Sequence, residues 1–325
     1  MPPVAAYVGR RLLRALPIIL AAVVLNFLLI HLAPGDPART LAGESGSANP
    51  EFVEQLRRDF GLDRPLGEQL LVYLGKVLRG DIGYSFRERR PVASLILERA
   101  PATLLLMGTA FAWALAAGIA VGTVAARRAR TWLGSVLSVL SLIAYAMPAF
   151  WFGLMLIVVF AVNLQVLPTY GMATIGSDER GIAYAADVGR HLILPALTLG
   201  VFYFALYTRL TRASMLETLS QEFVVVARAK GLSERRILFA HALRNAVLAV
   251  ATVAGIQLGQ ILGGSVLIET IFAWPGTGRL LFEAMLQRDY PVLLGILLFS
   301  SFAVVGMNIV TDFAYGVLDP RTRRT

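Results

Sequence analysis

The sequence contains no cysteine. Disulfides, thiolate metal sites and cysteine nucleophiles are therefore excluded. Charge is scarce as well: Asp, Glu, Lys and Arg supply 16% of 325 residues, against 57% that are hydrophobic. Soluble domains usually carry about 25% charged residues, and the apolar residues here fall in blocks too long for a soluble core. Only three histidines occur, His31, His191 and His241, each alone at an expected membrane boundary where a polar ring tip meets water. No two acids stand at metal or acid/base spacing within an apolar block. Ser, His and Asp do not cluster, and no Gly-rich phosphate loop is present. The chain is thus not read as an enzyme, and no metal or cofactor is expected in it.

What is present is a series of six apolar blocks, at roughly 12–31, 102–126, 133–162, 192–207, 246–268 and 291–315. About 20 mainly apolar residues cross the hydrocarbon of a bilayer, and a spanning backbone must satisfy its own hydrogen bonds, so the blocks are helices. Pro17, Pro148 and Pro195 mark expected kinks or helix ends. Gly255, Gly259, Gly263 and Gly264 give the fifth block a small-residue face for close packing. Arg10, Arg11 and Arg14 before the first block also fit a signal peptide. Its span length and its ending in HLAPGDPAR, with no clean small-x-small site, favour a retained span.

Charge placement gives orientation. With a cytoplasmic N-terminus, the cytoplasmic parts are the N-terminal segment, ARRAR at 126–130, residues 208–245 and the tail DPRTRRT. With Asp312 at the inner end of the sixth block, these gather 16 of the 30 basic residues and five of the 21 acids. Outside the long loop at 32–101, the opposite side holds only Arg180, Arg190, Arg279 and Arg288. The positive-inside rule weights short loops, so six spans with both ends inside is the expected topology. The net charge of +9 is then topological, and no nucleic-acid partner is expected.

Domain organisation follows. Residues 1–31 form the N-terminal segment and first span. Residues 32–101 form an external cap with amphipathic stretches near 50–60 and 66–78, the first starting at Asn49 and stopping at Gly61. Residues 102–325 form the core with spans 2–6, including a cytoplasmic segment at 212–244.

Within that segment, residues 221–245 read QEFVVVARAKGLSERRILFAHALRN. Residues 221–230 form a short helix carrying Ala227 and Ala229, and Gly231 suits the left-handed position that ends it. Ser233 caps a second helix, with Leu232 and Ile237 as the two ends of a hydrophobic staple. Physics leaves two readings open: a surface helix held by anionic lipid headgroups, or a helix seated in a partner's groove. The small-residue face and the defined turn favour the partner.

At ARAKGLSERRILFAHALRNA the chain resembles permease subunits of ABC importers, in the dipeptide/oligopeptide/nickel branch. RRLLRALPIIL with HLAPGDPA, LRGDIGYSF, MPAFWFG, HLILPALTL, LTRASMLE, ETIFAWPGTGRLL, RDYPVL and DPRTRR extend the likeness along the chain in that branch's order. The resemblance implies an all-α integral membrane protein with the type I ABC importer permease fold and a cytoplasmic coupling helix between spans 4 and 5. It implies a second homologous permease, two cytoplasmic ATPase subunits that bind ATP and Mg, and an extracytoplasmic substrate-binding protein. It places the chain in the bacterial cytoplasmic (inner) membrane and in membrane lipid. Carried over residue by residue, Ala227, Ala229, Lys230, Gly231, Leu232, Ser233, Glu234 and Arg235 match the ATPase-coupling motif.

Two positions depart from the pattern. Val225 and Val226 precede Ala227 where importers in general carry Glu-Ala-Ala, and Leu248-Ala249 replaces a common Leu-Pro, removing a kinking residue. Di- and oligopeptides are the majority substrate of the branch; nickel complexes, glutathione and other small solutes are the alternatives. Gln257 and Gln260 are candidates for lining the path, or for hydrogen bonds between helices. The WPGTG turn at 274–278 is either a gate or binding-protein contact, or a plain re-entrant turn. A self-sufficient channel or secondary carrier is the competing class. It is disfavoured because the central thirds of the blocks hold no ionisable residue.

Overall fold

In the computed structural model, residues 16–29, 49–51, 53–54, 64–85, 87–177 and 180–318 are described, without the side chains at 256, 258–264, 310 and 312–318. The chain divides into two compact units, Met1–Pro101 with Gly276–Ile309, and Ala102–Pro275 with Val310–Thr325.

In the first unit a short apolar helix, Leu16–Leu29, precedes the external segment. Asn49 starts a helix as its sequence position predicts, its Oδ1 accepting from Glu51 N at 3.3 Å; the expected stop at Gly61 lies outside the described residues. The amphipathic stretch at 66–78 is the helix Leu66–Leu78. Asn26 Nδ2 donates to Tyr73 Oη at 3.1 Å and to the Leu294 carbonyl at 3.0 Å, tying that helix to two apolar ones. A two-residue antiparallel pair, Tyr84–Ser85 with Arg90–Pro91, is a small exception to the all-helical expectation. Ser85 Oγ donates to Asp289 Oδ2 at 2.5 Å, while Asp289 Oδ1 caps Val292 N, so the hairpin is pinned where the last helix, Tyr290–Leu318, begins.

The helix Val92–Arg127 starts ten residues before the expected second span. Val92, Leu95 and Ile96 recur at helical spacing and are buried with Leu280, Ala284, Val292 and Ile296. That apolar face carries the helix through Pro101, where the sequence suggested a loop. Glu98 stays at the surface, paired with Arg90 at 2.8 Å.

The second unit is organised around the helix Ile182–Leu219. Of its most apolar stretch 72% is buried, against 28% for that of Val92–Arg127 and 33% for that of Glu234–Gly255, so it is the hub of this unit. Gly118 and Gly122 let Val92–Arg127 lie against it: a Cβ at Gly122 would come within 2.6 Å of the Thr208 carbonyl. Pro195 lies inside the helix without ending it. His191 does not stand alone with its ring tip in water as expected; it is 8% exposed within this helix, its Nδ1 3.3 Å from Asp187 Oδ1.

Pro148 does act as a break. Trp132–Ala146 and Ala149–Asn163 meet at 105°, and the latter ends in a π-helical stretch, Ile157–Asn163. Proline is tolerated at a helix start, where its missing N–H is not needed. Among the described residues four helices are long and apolar enough to cross a membrane, or five if the bent pair is one span. The expected first block is represented only by Leu16–Leu29, because its flanks fall outside the described residues.

Candidate functional site

The segment at 221–245 folds as helix, turn and helix. Glu222–Ala229 turns Val224 and Ala227 inward, one helical step apart, onto Ile237. Gly231 has φ +77°, a left-handed conformation that costs other L-residues about 1–2 kcal/mol. Its N–H donates to the Arg228 carbonyl at 2.9 Å and the Leu232 N–H to the Ala227 carbonyl at 3.2 Å. These two bonds form the Schellman ending of a helix, and they satisfy carbonyls that would otherwise lack partners. Leu232 then packs with Val224, Ala227 and Ile237. Ser233 Oγ accepts from Arg236 N at 3.4 Å, starting the next helix. Cap and staple thus join in one turn.

From Glu234 the chain runs on without a break through a π-helical stretch, Ile237–Leu243, into Arg244–Ile271. A π turn deforms a helix without proline. Ala249, standing where the family pattern has proline, lies inside the regular helix that follows.

Electrostatics brace the turn from outside. Arg228 Nε donates to Glu234 Oε1 at 2.7 Å and Nη2 to Oε2 at 3.3 Å, a bidentate pair on an exposed surface. The hydrogen bond from Arg228 holds the Glu234 carboxyl below its ordinary range, and the same bond raises the Arg228 guanidinium. Lys230 and Arg235 are exposed, while Ala227 is buried and Ala229 is not. Beside them Phe223, Val225, Val226 and Phe239 stand exposed. An open cleft of about 410 Å³ is lined by Ser233, Arg235, Arg236, Phe239 and Ala240. The motif residues are therefore brought together around one rigid turn, except that Ala227 supports it from within.

The path candidates are less well placed. Gln257 is half-buried on Arg244–Ile271, and the Gln260 side chain lies outside the described residues. Sequence reasoning missed Glu269, which lies one residue beyond the expected end of the fifth block. It is fully buried and accepts from Thr103 Oγ1 at 2.8 Å. Close by, buried Trp274 donates from Nε1 to the Ala102 carbonyl at 2.8 Å and from its backbone N–H to the Glu269 carbonyl at 2.8 Å. The ETIFAW string carried the signal, an acid followed by large apolar residues. It was divided between a span end and a turn.

Similarity to known proteins decides the family. Residues 118–324 match the inner membrane component of binding-protein-dependent transport systems, and residues 4–107 match the N-terminal family of such membrane components. The chain belongs to this family. It is 39% identical to the dipeptide transport system permease protein DppB of Escherichia coli K12, over 98% of both chains. It is 40% identical to the glutathione transport system permease protein GsiC of the same strain, again over 98% of both. Among solved structures it is similar in fold to a chain of the MetNI methionine ABC transporter in an inward-facing conformation. That match has a TM-score of 0.51 and 17% identity, and covers 69% of this chain and 96% of that one. The protein is accordingly a multi-pass inner-membrane permease subunit of a binding-protein-dependent importer, and not itself an enzyme.

Proposed function

We propose that this permease imports di- or oligopeptides in an ATP-driven complex with a second homologous permease, two ATPase subunits and an extracytoplasmic binding protein. Six spans cross the membrane with both termini in the cytoplasm, and this chain binds neither ATP nor Mg. The turn at 227–237 docks on an ATPase. Ala229, Lys230, Gly231, Leu232, Ser233, Glu234 and Arg235 form or brace its surface, and Ala227 packs beneath it. Movement of the docked turn passes through the continuous helix 234–271 to the spans, with Gln257 and Gln260 on the path side.

The observation that carries this reading is the doubly bonded, ion-paired turn at Gly231, joined without a break to a span. A rigid turn transmits displacement where a flexible loop absorbs it. The peptide assignment is supported by relatives named for dipeptide and glutathione transport that align along nearly the whole chain.

The test is uptake by the reconstituted complex. Glu234→Lys places a second cation beside Arg228 and is expected to abolish ATP-dependent peptide uptake while the permease still inserts. Undiminished uptake in that variant refutes the docking role. Full transport by this chain without an ATPase refutes the complex.

A further inference from the structure

The second cytoplasmic corner, at residues 127–132, has no role in the coupling reading. Three arginines crowd it, Arg127, Arg128 and Arg130, all exposed. Residues 99–177 contain no Asp or Glu, and among the described residues none of the three guanidinium groups has a carboxylate partner. The charge is not the by-product of a loose loop. Thr131 N and Oγ1 both donate to the Arg128 carbonyl, at 2.9 and 2.8 Å, and Thr131 Oγ1 accepts from Gly134 N at 3.5 Å. A Cβ at Gly134 would collide with the Arg128 carbonyl. The turn is therefore built closed over the start of the helix Trp132–Ala146.

The residues after the arginines indicate the chemistry of the ligand. Trp132 is 76% exposed at the first position of that helix. Val136, Val139, Leu140 and Ile143 continue from it at helical spacing, and all are exposed. An indole beside clustered guanidinium groups, at the head of an apolar helix face, matches an amphiphile with an anionic head and hydrocarbon tails. Arginine forks pair well with phosphate oxygens, and Trp favours the membrane interface.

We propose that the corner at 127–132 is a binding site for an anionic phospholipid. The phosphate sits among Arg127, Arg128 and Arg130, the indole of Trp132 lies at headgroup level, and an acyl chain lies along Val136, Leu140 and Ile143. The continuous apolar face selects lipid over an acidic face of a partner protein, for which exposed aliphatic residues running on into the span have no use. The site rests on the membrane-spanning reading, but not on what docks at 221–245.

The experiment is native mass spectrometry of the detergent-purified complex, titrated with phosphatidylglycerol, with phosphatidylcholine of the same chains, and with glycerol phosphate. Phosphatidylglycerol is expected to bind in preference to phosphatidylcholine. Replacing all three arginines by glutamine is expected to weaken it on the order of 100-fold, from about a factor of five per basic charge. Trp132→Ala is expected to weaken the lipid several-fold while leaving the weaker glycerol phosphate binding unchanged. If the triple variant does not assemble, Arg130→Gln alone must still lower phosphatidylglycerol retention. Equal binding of the two lipids, or unchanged retention in the arginine variants, overturns the proposal. So does a triple variant that keeps its lipid but sheds its ATPase subunits. Lipid retention scores this site whether or not the complex imports peptide, so the two readings fail separately.

Discussion

Among the described residues, two arginine-bearing corners lie on the side read as cytoplasmic, and they solve the same problem differently. At 227–237 one cation meets an acid within the turn, Arg228 with Glu234, and apolar residues close beneath it. At 127–132 no acid is offered, the bracing is done by one threonine and an absent side chain, and the large apolar residue points outward. The first corner pairs one of its four cations within the turn and presents a firm, partly apolar surface that still carries Lys230, Arg235 and Arg236. The second leaves its charge unanswered beside an apolar helix face. A positive-inside count, which weights both corners alike, therefore conceals two surfaces with different partners.

Substitutions separate the two corners. The largest effect on local stability is expected from Gly231→Pro, which removes the N–H that bonds Arg228 and forces a negative φ where +77° is needed. ATP-dependent uptake by the reconstituted complex should fall at least about tenfold, following local destabilisation on the order of 3 kcal/mol. Gly134→Ala should open the other corner at a cost of about 1–3 kcal/mol from overpacking. It is expected to lower the melting temperature in detergent and lipid retention while ATPase subunits stay bound. Ser233→Ala removes a cap and should cost about 1 kcal/mol, read as faster hydrogen exchange of the amides at 234–237.

The smallest effect concerns the ion pair. Because the Glu234 carboxyl is held below its ordinary value near 4.5, its pair contributes above that pH and is lost as pH falls through the depressed value. Glu234→Gln should therefore exchange faster than the wild type in the turn at neutral pH and match it in acid. A difference that grows on acidification contradicts the pairing.

Much of the first corner was legible because its chemistry is local. Gly231, Ser233 and the Leu232–Ile237 staple are each read from within five residues, and each takes the position that its sequence context predicts. The inward turn of Ala227 was not legible, since it depends on which helix face meets Ile237. Tertiary packing also decided the early start at Val92, the passage through Pro101 and Pro195, and the burial of Glu269 and His191. Proline breaks a helix only where neighbouring packing does not carry it onward, as the contrast between Pro148 and Pro195 demonstrates. The second corner hid because its key contact is a clash avoided at Gly134.

The absence of cysteine from the sequence permits a direct test of the contrast. Single cysteines are placed at Lys230 and at Trp132 in the assembled importer, and each is offered a short thiol-to-amine cross-linker and a lipid-phase thiol reagent. Cysteine at 230 is expected to cross-link to an ATPase subunit, and cysteine at 132 to take the lipid-phase label without cross-linking. Cross-linking to the ATPase from position 132 and none from position 230 would contradict the assignment of the turn at Gly231 as the coupling surface.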